Sequence, residues 1–489
     1  MTQRLYRFRL VKKNRMIEIG PGFNDRAAIN HQYAFGFEDD LIEVSSEPLN
    51  VTGIVPDWLT GYMIKNGPAK FRVGDRSLAH WFDGFAKLHK FEFETGKIQY
   101  SCRFIQSRAY STANVSGKLS RSEFATSPEF GLLEKLKALV APPLTDNTNV
   151  NVIRMGNQWL ALTETSNIIE FLPDSLATVG SFRFGDAFNA PITTAHPVID
   201  PKTGGIFNLH VEISLKHHYV ISYWQPAMKK DGRRVLARMP VKNPAYVHSF
   251  AQTEQFIIIV ESPLRLSAAD LILGTKPYVK CYQWHDHMGT RFLVVSKQDG
   301  SYFVCDYENR FFFHQVNAFE SGDVIELDLL TYPDATILDS LRLENLRTGG
   351  KVPISQPERI QINLKTKEVR GAYLDSCGME LPRINHRGFD CRRYRFVYGA
   401  GASSSTSFFD SLVKLDSEAG SHIKWSRPNC YYSEPLFVPR TGGEVEDDDA
   451  RAVILPVRGM CRLVRIGGKQ LAARKALHER DIDRRPFRL

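Results

Sequence analysis

Short runs of alternating apolar and polar residues, closed by glycine- or aspartate-bearing turns, recur over roughly 400 residues of this chain with few helical stretches between them. Residues 88–93 and 98–104 flank Glu94-Thr95-Gly96-Lys97, a hairpin signature. Asp200-Pro201-Lys202-Thr203-Gly204-Gly205 separates Val198-Ile199 from Ile206-Phe207, and Lys297-Gln298-Asp299-Gly300 separates residues 291–295 from 302–305. Strands joined this way predict an all-β chain and argue against alternating strand–helix–strand units. An all-β chain of 489 residues must dispose of many sheet edges, by a double sandwich or a propeller. No WD, kelch or other regular repeat decides between the two. One helix is expected over residues 129–140 (EFGLLEKLKALV), stopped by Pro142-Pro143.

The net charge of +9 raises the question of an anionic partner, and its distribution answers it. Residues 1–17 hold six basic residues and no acid, and residues 451–489 hold eleven basic against three acidic, a net +8. Taking six and eight from nine leaves residues 18–450 at −5, so the body is mildly acidic and no nucleic-acid groove is expected in it. The seven cysteines are scattered and never form C-x-x-C, which reads as reduced intracellular thiols and not as a disulfide framework or zinc site. No apolar run approaches the ~18 residues that cross a bilayer. The N-terminus lacks the apolar segment of a secretory signal; its Arg-rich start reads as a disordered basic tail, with an organelle transit peptide as the alternative.

Fourteen histidines offer candidate metal ligands. His285-Asp286-His287 has chelating spacing but lies beside Met288-Gly289-Thr290-Arg291 and reads as an exposed turn, while His217-His218 would point to opposite faces of a strand. His196 (TTAHP), His248 (YVHSF) and His314 (FHQVNAFE) each stand in or beside apolar, strand-like sequence. Their separations of 52 and 66 residues fit no local metal motif. On spacing alone they read as three core imidazoles, each bonded to a backbone carbonyl; a shared site would need long-range convergence.

Several ordered motifs carry more. Residues 59–71 (LTGYMIKNGPAKF), 80–84 (HWFDG), 146–152 (DNTNVNV), 162–165 (LTET), 195–197 (AHP), 246–250 (YVHSF), 289–292 (GTRF) and His314-x-x-Asn317 together resemble the carotenoid cleavage oxygenase family, from about residue 38 to 449. The resemblance implies a seven-bladed β-propeller with a small helical cap, the last blade open to being incomplete, and one Fe2+ on the axis with O2 as co-substrate. His196, His248 and His314 fall on three of the family's four ligand positions, which makes them the expected metal and catalytic residues. Glu164, Glu380 (in GMELPRIN) and Glu434 (in SEPLF) fall on the positions of the carboxylates that orient such ligands, Glu164 toward His248 and Glu380 toward His314.

The fourth family histidine, in a His-Gly-x-aromatic motif near the C-terminus, has no counterpart here. Beyond Asp449 the pattern breaks and Arg content rises; His478, followed by Glu479, is a weak stand-in. The chain therefore divides into a basic N-terminal segment (1–37), a propeller domain (38–449) and an atypical basic tail (450–489) that is not expected to be homologous to the family's last blade. Without a fourth histidine, Glu434 must find another donor, protonate, or bear a desolvation cost, and a propeller without closing strands exposes edges. The resemblance implies oxidative cleavage of a conjugated C=C bond in a carotenoid or apocarotenoid to aldehyde or ketone products, in the cytoplasm with peripheral membrane contact. Stilbene cleavage, retinoid-type isomerisation, or a catalytically impaired relative that only binds apolar ligands are the alternatives.

Overall fold

The structure is a computed structural model; it describes residues 32–51, 55–129, 144–225, 232–274, 276–427, 430–438 and 446–447, and the backbone of the strands Arg9–Lys12, Arg15–Glu18, Arg451–Val457 and Met460–Val464. Most of the helix expected over 129–140, and His478, lie outside the described residues.

Six antiparallel sheets of four or five strands follow one another along the chain. Their inner strands are Gly61–Lys70, Asn151–Met155, Ile192–Thr193 with Val198–Ile199, Ala251–Gln252, Phe311–Ser321 and Met379–Arg383. In the first sheet Val44–Pro48 pairs on the outer edge, against Lys97–Phe104. This is an all-β propeller with few helices, as expected. Among the described residues there are six blades of four or more strands, and not the seven that the resemblance implied. Where a seventh would follow, Leu436–Phe437 pairs with Arg451–Val457 and that with Met460–Val464, a sheet of three strands among the described residues. The physical reason is local: the inner strand is two residues long, and beyond Asp449 the apolar alternation that would build a fourth strand is weak.

Residues 256–260 show why these blades stack. The strand Phe256–Glu261 (FIIIVE) is a continuous apolar run because both its faces are covered. Successive side chains point to opposite faces: Ile257 and Ile259 join Leu209, Tyr219 and Ile221 of the preceding blade, while Ile258 and Val260 join Ala318, Ile325 and Leu327 of the following one. Each such isoleucine contributes roughly 1.5–3 kcal/mol of burial. A polar residue at Ile258 would therefore strip one interblade seam.

The short helices come from blade connections. Arg108–Ser116, Thr336–Ser340 and Leu343–Thr348 share an apolar cluster with the 3-10 turn Gln32–Phe37, through Tyr110, Leu338, Leu346 and Phe37, and Phe311 and Phe313 of an inner strand belong to the same cluster. Ser107 caps the first of these helices by accepting from the Tyr110 N–H, and Gly117 ends it in the left-handed region. Among the described residues no helix is long and apolar enough to cross a membrane.

Candidate metal centre

Two of the recognised motifs, residues 80–84 and 146–152, are tied to each other by hydrogen bonds. Asn147 donates to the Asp83 and Gly84 carbonyls, and Asn149 to those of Phe82 (2.8 Å) and Gly84 (2.7 Å). Gly84 is required by close approach: a Cβ there would lie 2.4 Å from the Phe71 ring and 2.6 Å from Pro68. Asn151, next in the same motif, donates to the Ala195 carbonyl at 2.9 Å and so holds the turn that presents His196.

Inner strands converge on an axis, and the three predicted histidines sit on or beside consecutive ones. His196 lies between Ile192–Thr193 and Val198–Ile199, His248 just before Ala251–Gln252, and His314 within Phe311–Ser321. The register of Phe311–Ser321 slips between Phe312 and Gln315, a bulge that re-aims the His314 side chain. One ligating atom of each histidine lies within 4.8 Å of those of the others. The Nε2 atoms of His196 and His248 are 3.0 Å apart, and His314 meets both rings edge-on at centroid distances of 5.5 and 5.1 Å. Ser249 Oγ donates to the Phe313 carbonyl at 2.6 Å, tying the neighbours of two of the histidines together.

Glu164 and Glu380 stand where the resemblance put them. His248 donates its Nδ1–H to Glu164 Oε1 at 2.6 Å, and His314 its Nδ1–H to Glu380 Oε2 at 2.7 Å. A carboxylate only accepts, so Nδ1 carries the proton in both rings and the Nε2 lone pair is left for a metal. Each carboxylate is held in turn by a tyrosine: Tyr246 donates to Glu164 and Tyr332 to Glu380, both at 2.8 Å. Burial, then the neighbouring carboxylate, pushes both tyrosine hydroxyls well above their ordinary range, so they remain donors. Glu380 also accepts from the Leu381 N–H at 3.1 Å, and Leu381 has φ +55°, a left-handed conformation for a branched residue that only the surrounding strand sustains. Burial, then His248, His314 and Arg383, hold His196 well below the usual imidazole value, so its ring is neutral.

Glu434 is the carboxylate that the sequence leaves without a histidine. It precedes Leu436–Phe437 and pairs with the Arg383 guanidinium at 2.7 Å. Burial raises its carboxyl, but Arg383 and Lys65 outweigh that and hold it below the carboxylate range. Of the three outcomes open to a carboxylate without its histidine, the chain takes the first, a replacement donor. Tyr246, Tyr332 and Arg383 are the functional residues that residue-type reasoning missed. Tyr246 and Arg383 lie inside recognised motifs, two residues before His248 and three after Glu380, which was the available signal.

Neither discarded pair joins the site: His287 is exposed beside His285, and His217 and His218 lie on Tyr219's strand, His217–Trp224. Asn317 is structural, donating to the Phe389 and Arg392 carbonyls at 3.0 Å. A run of aromatic rings reaches the triad: Phe313 meets His248 at 5.4 Å, Phe82 meets Phe313 at 5.9 Å, and Phe124 meets Phe82 at 5.2 Å.

The sequence model of the retinal pigment epithelial membrane protein family matches residues 37–455. The carotenoid isomerooxygenase of Galleria mellonella is 29% identical over 435 residues, covering 83% of this chain and 84% of its own. The mitochondrial carotenoid-cleaving dioxygenase of Mustela putorius furo is 30% identical over 457 residues, covering 81% of this chain and 84% of its own. Among solved structures, cobalt-substituted apocarotenoid oxygenase of Synechocystis superposes with a TM-score of 0.77 at 26% identity, over 87% of this chain and 89% of that one.

Proposed function

Because the chain belongs to the retinal pigment epithelial membrane protein family of carotenoid oxygenases, we propose that it uses iron(II) and O2 to cleave a conjugated C=C bond of a carotenoid or apocarotenoid into two carbonyl products. The observation that supports this reading best is the meeting of three imidazoles, two of them with Nδ1–H committed to a carboxylate. Imidazole donors brought within 4.8 Å of one another, with no carboxylate among them, suit Fe(II), and three of them leave coordination positions for small ligands. Iron(II) held by His196, His248 and His314 would supply the activation of O2 toward the polyene. Glu164 and Glu380 keep two of the rings oriented, and Tyr246 and Tyr332 keep the carboxylates in place. Phe82, Phe124 and Phe313 offer an apolar wall that suits a polyene and excludes water. A substrate that lives in lipid calls for a docking surface, and exposed Ile272 and Leu273 on Ala268–Leu273 supply apolar area for one.

A second reading, an apolar-ligand binder with weakened metal affinity, is favoured by one observation: the guanidinium of Arg383 stands on the carboxylate that would orient a fourth histidine. Iron content and O2 uptake, measured with β-carotene, an apocarotenal and a hydroxystilbene, separate the readings. Two aldehyde or ketone products from a carotenoid with one O2 consumed is the expected result. Cleavage of the stilbene alone, or isomerisation without O2 uptake, reassigns the substrate or reaction; negligible iron with no turnover overturns the enzymatic reading in favour of the binder.

A further inference from the structure

A second group of metal-type donors lies away from the axis. Asp375 and Cys377 belong to the link between Val369–Tyr373 and Met379–Arg383, and His422 to Ser421–Trp425, the outer strand of the blade that Met379–Arg383 begins. One donor atom from each of the three lies within 4.8 Å of the others. His422 Nδ1 is 2.7 Å from Asp375 Oδ1, and the Cys377 N–H donates to the same oxygen at 2.5 Å.

We propose that Asp375, Cys377 and His422 form a site for a single zinc-class divalent cation that ties the interblade link to the outer edge of the sixth blade. Sulfur, nitrogen and oxygen donors in one cluster are the set that borderline cations such as Zn2+ take. The charges balance, since a thiolate and a carboxylate together neutralise a dication. The placement also gives access: Cys377 is 1% exposed and anchored in the apolar cluster with Met379 and Val397, whereas the His422 side chain is 29% exposed at the rim. Binding replaces the S–H bond by a metal–sulfur bond and releases that proton to solvent, with no change of oxidation state. Burial, then Asp375, pushes the Cys377 thiol up to about 12, so the cation must compete with a firmly held proton, whose loss the nearby Lys424 ammonium eases. Three protein donors leave a coordination position for water. The scattered cysteines hid this arrangement, because the thiol's partners lie two residues before it and 45 after it.

Titration of the purified full chain with Co2+ tests the proposal independently of polyene chemistry. The axial triad contains no sulfur, so a sulfur-to-cobalt charge-transfer band in the near ultraviolet separates this site from the axial one. The band is expected in the wild-type protein and in His196→Ala, and it is expected to vanish in Cys377→Ser. His422→Gln, a substitution at the partly exposed rim that leaves the buried thiol in place, is expected to weaken zinc binding by about tenfold or more. Absence of the band from a folded wild-type protein, or a zinc affinity, read by displacement of that band, unchanged in His422→Gln, overturns it.

Discussion

Arg383 donates to Glu434 at 2.7 Å, and the pair stands beside the histidine triad with each side chain a little over one third exposed. Lys65 also lies close to Glu434, with its ammonium on Ser433 and on the Glu434 backbone carbonyl, and helps to hold the carboxyl down. Arg383 thus gives the Glu434 carboxylate a charged donor. Partial exposure screens the pair, so a coupling energy of about 1 kcal/mol is expected and not the several of a fully buried pair. Urea unfolding of Arg383→Met, Glu434→Gln and the double variant measures it. Strictly additive effects would mean that the two residues do not depend on each other.

The chain from tyrosine to carboxylate to histidine should show graded losses. Glu164→Gln and Glu380→Gln remove the charge that fixes each imidazole, and are expected to weaken metal binding about 10–100-fold. Tyr246→Phe and Tyr332→Phe remove one donor to a carboxylate that keeps its histidine, and should cost about 1 kcal/mol, or roughly fivefold. Competition with a chelator ranks the four variants. A tyrosine variant as damaging as its glutamate neighbour would show that the hydroxyl acts otherwise than by holding the carboxylate.

His80 makes acid stability measurable. Its Nε2–H donates to the Leu338 carbonyl at 2.8 Å while Nδ1 accepts from the Phe82 N–H at 3.0 Å, so the folded state needs the neutral ring. Burial, only partly opposed by the Leu338 bond, lowers its pKa to about 4. The unfolded chain takes up this proton near pH ~6.5 and the folded chain only near 4. The stabilisation is therefore complete above pH ~6.5 and lost as pH falls toward about 4, on the order of 3 kcal/mol in all. His80→Asn keeps an acceptor for Phe82 without titrating. The stability difference between wild type and this variant should shrink from pH ~6.5 to ~4, and a difference that stays constant would clear His80 of the effect.

Fold class was legible because strand alternation and turn chemistry are local. The apolar run at 256–260 departs from alternation because both its faces are buried. The triad was not legible from spacing, because a propeller sets the distance between inner strands by the length of a whole blade; only the ordered motifs exposed it. Arg383 escaped notice because its role depends on what a missing histidine leaves behind, and no residue pattern encodes that. The count of blades failed for a related reason: the resemblance supplied seven, while the stretch after Glu434 supplies three strands for the last.

Glu446 and Asp447, in an acidic run that looked like a mere boundary, clamp the sixth blade. The Glu446 carboxylate accepts from the backbone N–H groups of Arg395 (2.9 Å) and Phe396 (2.7 Å), and Asp447 accepts from the Tyr398 hydroxyl at 2.6 Å and pairs with Lys414. Lys414 is buried, so removing Asp447 leaves an ammonium without that carboxylate in an apolar setting beside Phe396. A chain ended after residue 447 keeps both contacts and loses the strands Arg451–Val457 and Met460–Val464, whereas one ended after residue 440 loses both contacts as well. The shorter chain is expected to be destabilised relative to the longer by about 3 kcal/mol or more, and Asp447→Ala in the full chain by most of that amount. Thermal unfolding of the three proteins decides it: equal midpoints for the two truncations would show that these carboxylates contribute nothing and that the hairpin 451–464 carries the stability of this edge.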